Sequence, residues 1–254
     1  MSAPTPEERP APEEQLADRH PAGRNLAAVI DAHPADATAL ISRGQATTYG
    51  ELREQVGRLR GGLAGMGIEP GDRVALIAAN NWYFVATYLA VLGVGGVTVP
   101  LNPASPGPEL VRELAAVGAK AVVVGPTGRR AFAAIDRAEI PTVEAVVTTA
   151  ATDDIAGAIA IDDLLAASPT PMVERAENDL ALLMFTSGTA GFPKAAMLSH
   201  GNLLANLEQL DRIPVRTQTA DDVSLGVLPF FHIYGLNVVL GRSLRTGGSV
   251  PAIE

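Results

Sequence analysis

The sequence predicts an α/β fold, a layered parallel-sheet domain with flanking helices, and two patterns carry that expectation. From residue 74 onward, short and almost wholly apolar runs alternate with stretches of helical spacing. Such runs read as strands buried on both faces, whereas a strand with one wet face would alternate apolar and polar residues. The chain is also long enough to sustain the core that such a sheet needs: it has 254 residues, 47% of them hydrophobic, ample for one large or two ordinary domains.

Taken in order, residues 1–24 carry five prolines among mixed Glu and Arg with almost no large apolar side chain. They are expected to form a disordered, solvated tail, and they lack the apolar segment of a secretory signal. From Thr48, the residues Leu52, Val56, Leu59, Leu63 and Met66 recur at intervals of three and four, one apolar stripe on a helix that Gly67 can end. Residues 74–78 then read as a strand, 82–92 as a helix and 97–101 as a second strand. Pro108 opens a helix through Leu110, Leu114 and Val117 that Gly118 stops, and 121–124 is the next strand. A weaker helix near 132–135 precedes a strand at 143–147. Residues 150–178 read as a loop-rich connection with a short helix around 162–166. Residues 180–185 form a buried strand, and Ser199 can cap a helix through Leu203, Leu204 and Leu207. A strand at 223–228, a short helix at 235–240 and a last extended run at 249–250 complete the pattern.

Composition narrows the function. The formal net charge is −9, which argues against general binding to nucleic acid or to an anionic membrane, since both need a basic surface. Any anion must be held by a local device. The absence of Cys removes disulfides, thiolate catalysis and Cys-based zinc sites, and it fits a reducing, cytoplasmic setting. His20, His33 and His200 show no metal-ligand spacing, so no structural metal is expected. Residues 74–108 contain no charge and invite a membrane reading, but Gly93, Gly95 and Gly96 interrupt the apolar run and Pro100 and Pro103 close it. The helical piece at 82–92 is far below the ~20 residues a span requires, so buried strand, helix and strand is the expected assignment.

The most informative segment is Thr186-Ser-Gly-Thr-Ala-Gly-Phe-Pro-Lys194, directly after an apolar strand. Glycines let backbone N–H groups converge on an anion, three hydroxyls add donors, and Lys194 adds a point charge; together these suit a polyphosphate. Lysine is scarce here, Lys120 and Lys194 being the only two, and Lys120 reads as a solvated surface charge in a turn. The loop is not a Walker A motif, because Pro193 and Ala195 occupy the places of its Gly and its Ser or Thr. The same turn-forming residues would also permit an ordinary surface hairpin.

These residues resemble the phosphate-binding signature of the adenylate-forming superfamily, which embraces acyl-CoA synthetases, coumarate-CoA ligases, luciferases and peptide-synthetase adenylation domains. Further matches follow in the family's order: Thr48-Tyr-Gly-Glu-Leu52, Leu92 to Pro103, Leu198-Ser-His-Gly-Asn202 and Leu228-Pro-Phe-Phe-His-Ile-Tyr-Gly235. The resemblance runs from about residue 25 to the end. It implies the N-terminal part of the large domain of such an enzyme: a first α/β subdomain at 25–185, then the phosphate loop and an incomplete second subdomain at 186–254, with the C-terminal domain absent. It also implies the chemistry, in which MgATP and a carboxylate give an acyl-adenylate and a thiol then takes the acyl group. By resemblance Thr186, Ser187, Gly188, Thr189, Gly191 and Lys194 bind phosphate, with Ala190 and Ala195 departing from the usual Thr and Gly.

His232 is the second candidate. Beside Phe230, Phe231 and Tyr234 it can be a packed core side chain, but acyl- and aryl-CoA synthetases resemble this segment with a His at the matching place. No acidic residue lies between Asp222 and Glu254 to hold an amino acid's ammonium, so the expected substrate is a fatty or aryl acid. The implied partners are that acid, ATP with Mg2+, and coenzyme A, with no nucleic acid and no integral membrane segment. Exposed apolar surface is expected to favour self-association. The competing readings are a fatty acyl-AMP ligase feeding a carrier protein, and a non-catalytic nucleotide- or acyl-binding module or split-gene fragment. Residues 1–254 alone are expected to be inactive, because the downstream family motifs are missing from them.

Overall fold

The computed structural model describes residues 25–149, 152, 154–186, 194–213 and 218–253; the expected tail at 1–24 lies outside them. Asn25 caps a 3-10 turn, Leu26–Ile30. Strands β1 (Thr38–Ser42) and β2 (Gln45–Thr48) form a hairpin that the helical and strand spacing did not reveal. Its turn residues Arg43 and Gly44 have φ of 51° and 76°, the left-handed pair that matches strand twist in a two-residue loop. Helix α1 (Tyr49–Gly65) begins where Thr48 accepts from the Glu51 N–H and the Glu51 carboxylate accepts from the Thr48 N–H, a reciprocal cap. Leu52, Val56, Leu59 and Leu63 are buried along one face.

Strand β3 (Arg73–Ile77), helix α2 (Trp82–Gly93), strand β4 (Val97–Leu101), helix α3 (Gly107–Val117) and strand β5 (Ala121–Val124) follow, close to the expected bounds. Gly118 ends α3 in the left-handed region, φ 59°. Helix α4 (Pro126–Ala133) starts earlier than the 132–135 reading, because Pro126 can open a helix without losing a needed N–H. Strand β6 (Ala145–Thr148) begins later than expected, since Val143 is drawn into a turn by bonding to the Ile140 carbonyl. Strand β7 (Ile159–Ala160), helix α5 (Ile161–Leu165), strands β8 (Leu180–Thr186) and β9 (Lys194–Ser199), and helix α6 (His200–Asp211) come next. A π-helix at Tyr234–Gly241 runs straight into α7 (Arg242–Thr246), and β10 (Val250–Ala252) follows.

Among the described residues the main sheet has seven strands in the order β7-β6-β5-β3-β4-β8-β9, all parallel except β9, which pairs antiparallel with β8. Alternate residues of β3 feed two cores. Val74 and Leu76 pack with α1, α2 and the 3-10 turn; Ala75 and Ile77 pack with Leu110 and Leu114 of α3 and Phe132 of α4. The uncharged stretch at 74–108 is therefore interior strand, helix and strand, and no helix among the described residues is long and apolar enough to cross a membrane. A smaller sheet, β10-β1-β2, joins the two ends of the described chain through a parallel β1–β10 pair. Tyr49 of α1 reinforces this closure by donating to the Gly248 carbonyl at 2.8 Å.

The expected strand at 223–228 is not regular: it makes isolated bridges at Val223–Ser249 and Gly226–Ala252. The ladder begins with Ser249 donating to Asp222 and Ser224 to Ser249, and it resumes with Gly226 donating to Pro251 and Ile253 to Gly226. The rung between would need an N–H at residue 251. Pro251 has none, so the ladder breaks there. Lys120 also differs from its reading as a solvated charge, because its Nζ lies 2.7 Å from Asp72 and 2.8 Å from the Gly67 carbonyl.

Two buried titratable groups oppose each other in pH. His200, at the start of α6, accepts the Leu26 N–H on Nδ1 at 3.0 Å, and burial, aided by Arg175, pushes its pKa down from 6.5 to about 4. Between those values the unfolded chain holds a proton that the folded chain refuses, so stability falls as pH drops from 6.5 towards 4. Burial, with Glu109 nearby, raises the Glu113 carboxyl from 4.5 to about 7. Here the folded chain holds the extra proton, and its contribution is lost as pH rises from 4.5 to 7. Glu113→Gln should therefore stabilise the fold at pH ~7.5 relative to acid and steepen the loss of stability on acidification, because the His200 contribution is left unopposed. Urea unfolding across a pH series reads both effects.

Candidate functional site

Thr186 is the last residue of β8 and Lys194 the first of β9, and the two face each other as the terminal pair of the hairpin. The Thr186 Oγ1 donates to the Lys194 carbonyl at 3.4 Å, and the Lys194 side chain is exposed. Ser187, Gly188, Thr189 and Gly191 lie outside the described residues. A surface hairpin and an anion loop are thus not rival geometries here: the glycine-rich segment is the connection of a hairpin whose first strand belongs to the core sheet.

That hairpin opens at the carboxyl edge of the parallel strands. Thr98 of β4 is level with both Leu182 of β8 and Val74 of β3, and four residues further on the same register brings Thr186 level with Asn102 and Ala78. With β4 between them, β3 and β8 run about 10 Å apart. Beside β3 the connections also change side, since α2 covers one face of the sheet while α3 and α4 cover the other. The crevice outside such a switch point is where open α/β sheets bind ligands.

The second candidate reaches the same edge by a route the sequence did not reveal. Asn80, three residues beyond the end of β3 and buried, donates through Nδ2 to the carbonyls of Gly226 and Leu228 at 3.0 and 2.8 Å. Its Oδ1 accepts the Phe230 N–H at 2.7 Å. Phe230 is buried against Phe84, with ring centroids 5.7 Å apart. The chain then turns outward: His232 donates its N–H to the Pro229 carbonyl at 3.1 Å, and its own carbonyl accepts from Leu236 at 2.9 Å as the π-helix begins. The His232 side chain is exposed, next to Phe231 at 4.6 Å between ring centroids. In this chain the core position of the segment is taken by Phe230 rather than by His232. Asn237 ties the π-helix to α6 by donating to Leu203 O and Asn206 Oδ1 at 3.2 and 2.9 Å.

Among the described residues no group of three or more His, Asp or Glu side chains converges to form a metal site. From Thr186 to Ala205 the sequence also has no carboxylate, so this hairpin offers a hydroxyl and an ammonium rather than anionic metal ligands.

A family model described as AMP-binding enzyme matches residues 26–253. The chain belongs to this family. Among curated relatives of this AMP-binding chain, a feruloyl-CoA synthase from Amycolatopsis sp is 36% identical over 215 residues, covering 84% of this chain and 40% of the relative. The 4-coumarate–CoA ligase 5 of Oryza sativa subsp. japonica is 33% identical over 246 residues, covering 95% of this chain and 42% of the relative. The chain thus spans about two fifths of the length of these proteins. Among solved structures, ATP-bound MatB from Rhodopseudomonas palustris matches with a TM-score of 0.77 and 33% identity, over 91% of this chain and 45% of that one. The anthranilate CoA ligase AuaEII, in complex with anthranoyl-AMP, matches with a TM-score of 0.85 over 93% of this chain and 46% of that one, and at 20% identity it speaks for the fold alone. The layered α/β class and the resemblance to acyl-CoA and coumarate ligases both hold.

The motifs of the resemblance do different work. Thr48-Tyr-Gly-Glu-Leu52 is the cap and clasp of α1, and Leu198-Ser-His-Gly-Asn202 caps α6, where Ser199 and Asn202 bond reciprocally. In the motif that carries His232, Gly235 is fixed by space. A Cβ there would strike the Pro229 carbonyl oxygen and lie 2.7 Å from the Leu228 oxygen. Gly235→Ala should displace the 228–232 turn and cost about 1–3 kcal/mol, read by urea unfolding at neutral pH.

Proposed function

We propose that this chain carries the ATP-handling portion of an AMP-forming acid–thiol ligase. The observation that supports it is the Thr186–Lys194 pair at the mouth of a glycine-rich hairpin, at the carboxyl edge of the sheet in an AMP-binding chain. In this reading a carboxylate oxygen of the acid attacks the α-phosphorus of ATP, the bond to the β-phosphate oxygen breaks, and pyrophosphate leaves. The acyl-adenylate then yields its acyl group to the thiol of coenzyme A, which loses its proton, and AMP departs. Thr186, Ser187, Gly188, Thr189, Gly191 and Lys194 orient and neutralise the β- and γ-phosphates while the in-line attack occurs. Mg2+ accompanies the phosphates as their counter-charge. His232, exposed on the turn that Asn80 holds, stands where acid and thiol meet. The names of the feruloyl- and coumarate-CoA relatives favour an aryl acid over a fatty one.

The division at residue 186, between a first α/β subdomain and the phosphate loop with the start of a second, belongs to the same proposal; so does a cytoplasmic setting. In this reading residues 1–254 bind nucleotide but catalyse little acid-dependent exchange of pyrophosphate into ATP. Robust exchange by this chain alone would overturn that part. In the longest natural polypeptide that carries these residues, exchange with ferulate or coumarate is expected, and Lys194→Ala should depress it about 100- to 1,000-fold, the scale of losing one preorganised donor. Calorimetry on the 254-residue chain addresses the binding-module alternative, in which ATP or an acyl-adenylate analogue binds and no exchange appears at any length.

Self-association is part of the same reading. Val223, Leu225, Val227, Leu228 and Tyr234 stand exposed within one short stretch of sequence, and exposed apolar side chains gathered in this way favour a partner. Sedimentation velocity over a concentration series should show the mean sedimentation coefficient rising; a single unchanging monomer boundary at high concentration would contradict it.

A further inference from the structure

We propose that Asn80 is a positioning residue that sets the turn carrying His232, acting through Phe230; its catalytic consequence rests on the ligase reading above. Three features of the geometry point to it. The Asn80 side chain is 4% exposed and uses both ends of its amide on a segment about 150 positions away, donating to the Gly226 and Leu228 carbonyls and accepting from the Phe230 N–H. Those groups lie where the ladder along β10 ends: its last rungs are Gly226 N–H to Pro251 and Ile253 N–H to Gly226, and beyond them the chain leaves β10. Asn80 adds a second donor to the Gly226 carbonyl beside the Ile253 N–H, supplies a donor to the Leu228 carbonyl just past the ladder, and satisfies the buried Phe230 N–H. Finally, the residues it holds lead within two positions to His232, whose own N–H bonds back to Pro229. A planar amide with two donors and one acceptor in fixed geometry matches two carbonyls and one N–H, and neither Asp nor Ala can reproduce that set.

The loop after β3 also leaves the sheet at its switch point, level with the hairpin that ends in Thr186 and begins again at Lys194. Asn80 thereby references the His232 turn to the strand array that fixes the hairpin. If the turn slipped, His232 would lose its setting relative to the phosphate loop even with every strand intact.

Hydrogen exchange and histidine-ring NMR on the 254-residue chain test the positioning itself. In Asn80→Ala the Phe230 and His232 amides should exchange at least about tenfold faster while Leu76 in β3 changes less than about twofold. The His232 ring resonances should move while those of His33 stay. Asn80→Asp, nearly isosteric, is the second variant: it keeps an acceptor for the Phe230 N–H but sets a carboxyl oxygen against the Gly226 and Leu228 carbonyls, so the Phe230 amide should stay protected while His232 still shifts. Unchanged exchange at Phe230, or an equal rise at Leu76, would overturn the proposal. Kinetics of the longest natural polypeptide that carries these residues test the consequence. Asn80→Ala should lower pyrophosphate exchange about tenfold when His232 is present and less than about twofold in a His232→Ala background, since a residue that acts through another is non-additive with it. Additive losses would show that Asn80 does not act through His232. Absence of exchange in the unsubstituted protein would sink the ligase reading, while the amide and ring measurements would still decide the positioning role.

Discussion

The structure depends on the double burial of β3. Its two neighbours, β4 and β5, hydrogen-bond both of its edges, and its alternate side chains enter separate apolar cores on the two faces of the sheet. A strand so placed has no freedom to slip, because a one-residue shift would exchange the two faces and empty both cores at once. Everything at the carboxyl edge inherits that rigidity. The loop that carries Asn80 leaves β3 itself, and the hairpin that carries Thr186 leaves β8 one strand beyond β4. Reactive loops gain from a mount of this kind, because precision at a flexible segment comes from the fixed elements beneath it.

Most of the layered scaffold was legible in the sequence, for identifiable reasons. Stripes such as Leu52, Val56, Leu59 and Leu63 are set by the helical period, and uniformly apolar runs such as 121–124 have few options other than an interior parallel strand. Ser199 as a cap was readable because a hydroxyl before an apolar run satisfies orphan N–H groups. The errors have equally local causes. The β1–β2 hairpin is short and half-exposed, so its residues carry no strong period, and only Arg43-Gly44 hints at the turn. The strand expected at 223–228 has the right alternation, but whether it pairs is decided by a partner 26 positions away, where Pro251 lacks a donor. A ladder needs two chains, and the pattern of one does not report the defect in the other.

The candidate site was legible in its ends and not in its supports. Thr186 and Lys194 announce themselves by composition, and His232 by the family resemblance. Asn80 carried no signal: an Asn between a strand and a helix reads as a turn residue or a cap, and the neighbouring Asn81 is indeed the cap of α2. Its task appears only when Gly226, Leu228 and Phe230 are seen to converge on one amide, a contact no spacing rule foretells. The resemblance motifs show the converse. Thr48-Tyr-Gly-Glu-Leu52 matches a family motif and proves to be a cap with a tyrosine clasp to Gly248, so a place among family motifs does not by itself assign a chemical role.

The parallel pair between β1 and β10 has a consequence for how the chain is made. Leu40 pairs with Val250, 210 positions later. At roughly 5–20 residues per second, synthesis leaves β1 and β2 outside the ribosome for about 10–40 s before β10 exists. During that interval one edge of β1 is open, and Tyr49, buried in the finished fold, has no carbonyl at Gly248 to meet. Among the described elements this layer is thus the last to become possible, and the emerging hairpin is where a nascent chain of this fold would most need a chaperone's cover.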